Sequence, residues 1–472
     1  MTVETRARVL APALMLAACA SVPVDAGFDE AAAMARERGG LELAWRRGGP
    51  EEAELDRRAH ELLAEELTAD GAVQVALLSN RRLQALYAEL GFAQADVLEA
   101  SRIPNPLFHA ELRFPEGGGL TALDLGIEQS FLELLFLPLR KRLAAEAFEA
   151  AKLRVTAGAL ELAGETRAGF WRAQGSAQLL ELRRTALDAA EASLELAQRL
   201  FEAGNIRSVD LELQEAQRED ARVALADAEL AALEAREALV AILGLHGDDV
   251  ELAIGERLPE LPAEAGSPAD MEARAIESSL SLAVTRHEIE RAARVLGLDE
   301  KTRFVPGLEL GVAAERESEG DWSVGPSLAL PLPIFSQGQP ELRRAAAELE
   351  RLRATYQADA VELRSRVRTS AARVLALHAR ASFLRDTVVP LRARILDSLQ
   401  LEYNAMQTGA FTLLLAKREE LGAAADLVTS LTDYWVASSE LDTLLEGAEL
   451  ERSTSTRLAR SPGRSPTSTD FH

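Results

Sequence analysis

The sequence predicts a mainly α-helical fold with a small transmembrane β part, and an internal duplication that repeats both. Three observations predict it. Two stretches separated by about 200 residues alternate apolar and polar side chains with the period of a β-strand. The segments after them repeat leucine at seven-residue steps, the spacing of a coiled-coil seam. Hydrophobic residues make up 47% of the chain and aromatics only 5%, so the apolar weight lies on Ala and Leu, which favours long, closely packed helices.

The first alternating stretch, 107–132, reads as a hairpin. Phe108, Ala110, Leu112 and Phe114 interleave with His109, Glu111 and Arg113; beyond the glycine tip Gly117–Gly119, Leu123, Leu125, Ile127 and Phe131 interleave with Asp124, Gly126, Glu128 and Ser130. The second, 307–331, repeats the device. Leu308, Leu310, Val312 and Ala314 alternate with Glu309, Gly311, Ala313 and Glu315, and after the turn Glu317–Asp321, Trp322, Val324, Leu328 and Leu330 alternate with Ser323, Gly325, Ser327 and Ala329. Each hairpin has one greasy face. A lone hairpin is marginal in water, whereas strands of roughly nine to eleven residues, apolar on one face and polar on the other, suit a membrane-spanning barrel. Edge hairpins packed on a soluble helical body are the alternative. Open strand edges are not tolerated in lipid and two hairpins cannot close a barrel, so strands that enter a membrane require several copies of the chain. Pro326 removes a ladder donor from the fourth strand and is an irregularity in the pattern.

The chain before the first hairpin has two parts. Residues 1–18 carry Arg6 and Arg8 and a short apolar stretch from Val9 to Ala18, a secretory signal in outline and too short to span a membrane. The only cysteine follows it. Leu16-Ala-Ala-Cys19 resembles a bacterial lipobox, which makes Cys19 the lipidated mature N-terminus; a small core cysteine after a fortuitous apolar patch is the bland alternative. Residues 19–70 are charged and interrupted by Gly39-Gly40 and Gly48-Gly-Pro50, and read as a loosely ordered lead-in. Helical periodicity runs from about Ala72 to Ala100 and ends at Pro104 and Pro106.

After the first hairpin, Pro138 opens a helix predicted from about Leu139 to Phe201, roughly 90 Å long, with Leu180, Leu187, Leu194 and Phe201 in one heptad seam. Ala203-Gly204-Asn205 breaks it. The next helix, to about Leu243, bears two stripes, one of Val209, Ala216, Val223 and Leu230 and one of Leu211, Leu225, Ala232 and Leu239, about 200° apart. Such a helix has neighbours on opposite sides, as a stave in a wall does. The first repeat therefore covers 71–246, a Gly/Pro-rich linker covers 247–269, and the second repeat covers 270–447. In that repeat a helix at about Met271–Leu298 precedes the hairpin, a long helix from near Pro340 follows it with a kink expected at Pro390, and a turn near Met406 leads to the last helix. The tail, 448–472, is rich in Ser, Thr, Arg and Pro and reads as disordered.

This organisation resembles the TolC family of outer-membrane efflux channels over about residues 65 to 447. The resemblance rests on the duplicated hairpins, the lipobox and two turn motifs. Phe201-Glu-Ala-Gly204-Asn-Ile-Arg-Ser-Val-Asp210 looks like the family's periplasmic tip turn; Tyr403-Asn-Ala-Met406-Gln-Thr-Gly409-Ala-Phe-Thr412 is similar but has Met406 in the place of Gly204 and Thr412 in the place of Asp210. In relatives, acidic residues near the second turn narrow the closed tunnel mouth, and this chain departs from that pattern. The resemblance implies a homotrimer with a twelve-stranded β-barrel in outer-membrane lipid and a hollow α-barrel through the periplasm. It also implies a passive export duct of a tripartite efflux or secretion system, driven by an inner-membrane transporter. A periplasmic adaptor would meet the tips at Gly204, Asn205, Asp210, Tyr403 and Gly409. The alternative is a lipid-anchored coiled-coil structural or adaptor lipoprotein in the periplasm. Adaptors read as one helical hairpin within β-rich segments, whereas this chain has two helical pairs and little strand.

Nothing in the sequence assigns catalysis, a metal or a cofactor. The six histidines are scattered, with no His-Glu-x-x-His spacing and no cysteine partner. Asp248-Asp249 reads as a solvated loop, Gly117–Gly119 as a loop tip, and no P-loop is present. The cluster Arg140-Lys141-Arg142 reads equally as a membrane-interface patch or a solvated helix start. With 52 basic against 76 acidic residues, the net charge of -24 argues against a nucleic-acid partner and disfavours adhesion to anionic headgroups. If that excess faces inward, it favours cations in the duct. No run of eighteen apolar residues occurs, so no transmembrane helix is expected.

Overall fold

Helix caps, more than composition, divide this chain into its elements. The computed structural model describes residues 26–114, 121–247, 252–264, 270–303, 307–316, 321–335 and 337–449. Cys19, the Gly117–Gly119 tip, Asp248-Asp249 and the tail from residue 450 lie outside the described residues.

The stretch expected to be a loose lead-in is instead helical. Helix α1 (Phe28–Gly39) ends on Gly40 in the left-handed conformation, and Pro50 opens α2 (Pro50–Leu63), so the Gly and Pro read as looseness are helix punctuation. Tertiary packing holds the segment: the rings of Phe28 and Trp45 lie 5.0 and 6.1 Å from that of Tyr87, which is fully buried. The single helix expected over 72–100 is two, α3 (Ala69–Ser79) and α4 (Arg81–Ser101). Asn80 separates them as an N-cap, its Oδ1 accepting from the backbone N–H of Arg82 at 2.9 Å and Leu83 at 3.1 Å. Its Nδ2 donates to the Ile242 carbonyl at 2.8 Å, which ties the break to the distant helix that contains Ile242. Asn80→Ala removes both functions in a buried site, and we expect it to cost about 2 kcal/mol, read as a lower thermal midpoint of the solubilised protein.

Strands β1 (Leu107–Arg113) and β2 (Ala122–Ser130) lead through the short α5 (Phe131–Leu135) into α6 (Leu137–Glu202), whose 66 residues span about 100 Å. Helix α7 (Ser208–Leu243) returns along α6. The helix expected at 271–298 is again split, at Ser279, into α8 (Met271–Ser278) and α9 (Leu280–Thr302), with the Ser279 hydroxyl accepting from the Leu282 N–H at 3.2 Å. Strands β3 (Glu309–Arg316) and β4 (Trp322–Ala329) follow, then α10 (Gln339–Phe383), a π-helical turn (Leu384–Val388), α11 (Val389–Asn404) and α12 (Ala410–Glu446). The π turn ends at Val388, two residues before Pro390, and so contains the carbonyl of residue 386 that the proline ring and its missing N–H leave without an α-helical partner; the disturbance stands where the kink is expected.

The core forms midway along α6. Leu77, Leu90, Leu160, Leu239, Leu243 and Leu280 bring α3, α4, α6, α7 and α9 together, and Leu282, Leu363, Val367 and Leu444 join α9, α10 and α12. Helix α12 runs antiparallel to α6 at very close approach: a Cβ on Gly164 would lie 2.0 Å from Thr443 Oγ1, and one on Gly175 2.0 Å from Thr432 Oγ1. The linker is pinned across these helices. Gln174 Nε2 donates to the carbonyls of Gly255 and Arg257 at 2.9 and 3.0 Å, and Trp435 Nε1 donates to the Pro259 carbonyl at 3.2 Å. The strands thus project from one end of α6 and the helical tips from the other.

Candidate functional site

Two regions project beyond the core, and the first is the sheet. Its four strands are antiparallel in the order β1-β2-β3-β4, so the two hairpins are joined by β2 pairing with β3. The register keeps the faces separate across all four strands. Phe108, Ile127, Val312 and Pro326 fall in one row, and Ala110, Leu125, Ala314 and Val324 in another. This is the greasy face of both hairpins, and it is open: Ile127 is 54% exposed, Val312 56% and Val324 70%. Pro326 occupies β4, an edge strand of the sheet, where a missing donor is tolerated.

On the opposite face, His109, Glu111, Asp124, Glu128, Glu309 and Glu315 gather. Arg113 lies among them, with Nε donating to Glu111 Oε1 at 2.9 Å and the guanidinium 3.8 Å from both Asp124 and Glu315. His109 Nε2 is 3.9 Å from Asp124. Five acids thus face one arginine and one histidine, a polar surface of negative balance. Among the described residues no three His, Cys, Asp or Glu side chains converge on a metal position, and no helix is long and apolar enough to cross a membrane.

The second region is the pair of tips. At the first, Asn205 N–H donates to the Leu200 carbonyl and Gly204 N–H to the Phe201 carbonyl, both at 2.8 Å, a Schellman stop with Gly204 at φ +75°. At the second, Gln407 N–H donates to Glu402 and Met406 N–H to Tyr403, both at 2.9 Å, with Met406 at φ +59°. The two turns have the same construction. Met406 therefore takes the left-handed position that Gly204 fills without strain, and its side chain is 95% exposed. Met406→Gly should relieve about 1 kcal/mol of local strain while losing no packing, read as slower amide exchange across residues 400–412.

The helices after the tips begin differently. Arg207 caps α7: its backbone N–H donates to Asp210 Oδ2 at 3.1 Å, and its guanidinium donates to both carboxylate oxygens. This pairing holds the Asp210 carboxyl below its ordinary range, so its stabilisation is present at neutral pH and fades as pH falls through the lowered value. Gly409 caps α12 in an extended conformation, and Thr412 brings no charge to the place of Asp210. Gly204, Asn205, Tyr403 and Gly409 are exposed and Asp210 half-buried, so every predicted tip residue is on or near the surface. Sequence reasoning missed Arg207, although the Arg-x-x-Asp spacing was readable. A crevice of about 370 Å³ between Ala189, Gln214, Ala221, Phe411, Leu415 and Arg418 puts the starts of α7 and α12 beside the end of α6. Both tips therefore lie at one end.

With this geometry in place, comparison with known proteins is direct. The family profile described as outer membrane efflux protein matches residues 135–245 and 273–447, more than half of the chain. The cobalt-zinc-cadmium resistance protein CzcC of Cupriavidus metallidurans is 24% identical over 389 residues, which cover 80% of this chain and 90% of that protein. A membrane protein from Pseudomonas aeruginosa superposes with a TM-score of 0.65 at 20% identity, covering 80% of this chain and 92% of that one. The Campylobacter jejuni CmeC outer membrane channel superposes with a TM-score of 0.67 at 13% identity, covering 87% and 91%. The long helices and four strands of this chain therefore share the fold of these two solved structures, and the profile spans the helical body on both sides of the second hairpin. The chain belongs to the outer membrane efflux protein family.

Proposed function

We propose that three copies of this chain close a passive export duct across the outer membrane, with no reaction catalysed. The sheet carries the reading: Phe108, Ile127, Val312, Val324 and Leu328 leave its apolar face exposed in all four strands, and β1 and β4 each leave one edge unpaired. Unpaired edges are incompatible with lipid, and β4 of one copy meeting β1 of the next removes them; three copies give twelve strands. Helix α7 supports the same assembly. In its stripe ending at Leu239, that residue is buried and Leu211, Leu225 and Ala232 are half-buried within the chain, whereas Val209, Val223 and Leu230 on the other stripe are exposed and await a neighbour.

In this duct the acidic face of the sheet lines the lumen and concentrates cations. The name of the Cupriavidus relative links that protein to cobalt, zinc and cadmium resistance, and we infer divalent metal cations as cargo. An inner-membrane transporter drives export, and a periplasmic adaptor meets the tips at Gly204, Asn205, Asp210, Tyr403 and Gly409; the exposure of these turns supports that contact. Acylation at Cys19 is supported by reach. Gly27 packs against the Phe148 ring, and Lys152 pairs with Glu30, which fixes the start of α1 beside α6, ten residues or about 15 Å beyond Pro138. The eight residues back to Cys19 extend at most about 28 Å, enough for acyl chains to enter the bilayer beside the barrel.

The test is the mass of the detergent-solubilised particle, corrected for bound detergent. About three chains are expected. A monomer would overturn the duct and favour a tethered coiled-coil lipoprotein.

A further inference from the structure

We propose that the end of the sheet nearest the helical body carries a collar that binds anionic phospholipid headgroups. The inference rests on the duct reading above and makes the collar a local exception to the acidic balance of the chain. The antiparallel strand order brings the start of β1, the end of β2, the start of β3 and the end of β4 to one end. The connections there pack side by side. Phe131 N–H donates to the Leu308 carbonyl at 2.8 Å, Gly307 lies against the Pro331 ring, and Gly338 at the start of α10 lies against Arg303 after the end of α9.

Two kinds of side chain crowd this level. Leu135, Leu330, Leu332, Ile334 and Phe335 are exposed apolar residues, Phe335 at 98%. Leu330 and Leu332 keep the parity of the greasy face of β4, so apolar surface continues past the last paired residue, Ala329, up to a tight turn in which the Ile334 N–H donates to the Leu332 carbonyl at 2.8 Å. Cations stand immediately behind it. Arg140, Lys141 and Arg142 fall within the first two turns of α6, and Arg343 and Arg344 within the first two turns of α10. Arg140 is paired with Glu133 at 3.3 Å. Lys141, Arg142, Arg343 and Arg344 are exposed and make no ion pair among the described residues.

That placement is costly in isolation. A row of exposed Leu, Ile and Phe is unfavourable in water, and the four cations behind it have no acidic partner among the described residues. One environment suits both, the boundary between hydrocarbon and headgroups, where apolar side chains enter the acyl region and long cationic ones extend to the phosphates. Clusters of this size beside a membrane segment attract anionic lipid. The occupant is the phosphodiester of a net-negative glycerophospholipid in the leaflet from which α6 departs. A soluble anion explains the cations but leaves the apolar band unexplained.

The experiment uses the full chain in phosphatidylcholine vesicles with trace spin-labelled phosphatidylglycerol or spin-labelled phosphatidylcholine, and reads the immobilised lipid fraction in the electron paramagnetic resonance spectrum. Phosphatidylglycerol should be held about fivefold more strongly at low salt, the factor one such contact supplies, and the preference should fall toward unity in molar salt. It should also fall in the combined variant Lys141→Gln, Arg142→Gln, Arg343→Gln, Arg344→Gln. Equal immobilisation of both lipids by the unaltered protein overturns the collar and leaves the duct standing. No immobilised lipid at all overturns the duct and the collar with it. A preference that survives the four substitutions overturns the assignment to these side chains. Should the variant be recovered poorly, the lipid contrast and its salt dependence in the unaltered protein decide alone.

Discussion

Gly164→Leu is expected to destabilise the helical body by about 3 kcal/mol, the upper end of what overpacking a close helix contact costs. The reason is distance. A Cβ at residue 164 would meet Thr443 Oγ1 at 2.0 Å and the Thr443 Cβ and Cγ2 at 3.0 Å, so the first added atom already clashes. Thr443 has no easy retreat, because it is fully buried and its hydroxyl donates to the Ser439 carbonyl at 2.8 Å. Gly175 and Thr432 repeat the contact eleven residues along each helix, three turns at 3.67 residues per turn, so both contacts fall on one edge of α6. Two mid-helix glycines cost about 1 kcal/mol each in propensity, and the close α6–α12 approach is what offsets it. Thermal unfolding of the solubilised protein measures the effect. Gly164→Ala should be destabilising despite its better propensity, and Thr443→Ala should recover part of that loss, with a coupling of about 1 kcal/mol in the double-mutant cycle. An unchanged midpoint for Gly164→Leu would mean that the two helices are farther apart than this contact requires.

That contact was invisible in the sequence, and the reason separates what could be read from what could not. The strands were legible because alternation is a local property: Phe108 to Leu112 and Leu310 to Ala314 declare their faces without any partner. The long helix was legible for the same reason, through Leu180, Leu187 and Leu194. The breaks at Asn80 and Ser279 were read through, since a polar residue within a periodic run looks like an outward-facing position until its side chain is seen capping the next turn. The lead-in was misread because its helices are held by Tyr87 and α6, contacts that no window of the sequence contains. At the tips, Gly204 announced its left-handed turn, and Met406 could be placed only by analogy with it. Its positive φ is a consequence of the same two hydrogen bonds at the helix end, which the backbone makes whichever residue stands there.

Val312→Lys is expected to abolish membrane insertion, while Ala313→Lys, one residue along the same strand, is expected to leave it intact. The contrast follows from parity. Val312 sits mid-strand in β3, paired with Ile127 on one side and Pro326 on the other, on the face that is apolar in all four strands except at Gln129 and Arg316 near its two ends. Ala313 sits on the opposite face, between Gly126, which the His109 ring covers, and Gly325, beside which the space is open, so a long side chain extends toward β4 and the surrounding acids welcome a cation. A lysine facing lipid at mid-depth costs about 2–4 kcal/mol per chain, so three symmetry-related copies cost roughly 6–12 kcal/mol. That range is comparable with the whole stability of a folded domain, and no adjustment elsewhere in the sheet offsets it. A lysine facing a watery lumen has no such cost. The measurement is the fraction of each variant recovered in a urea-washed outer-membrane pellet as a particle of trimer mass. If the hairpins instead stand in water beside a soluble body, neither lysine meets lipid and the two behave alike. Equal recovery would therefore place the apolar face in water and remove the barrel, whereas loss of Val312→Lys alone requires that this face meet lipid.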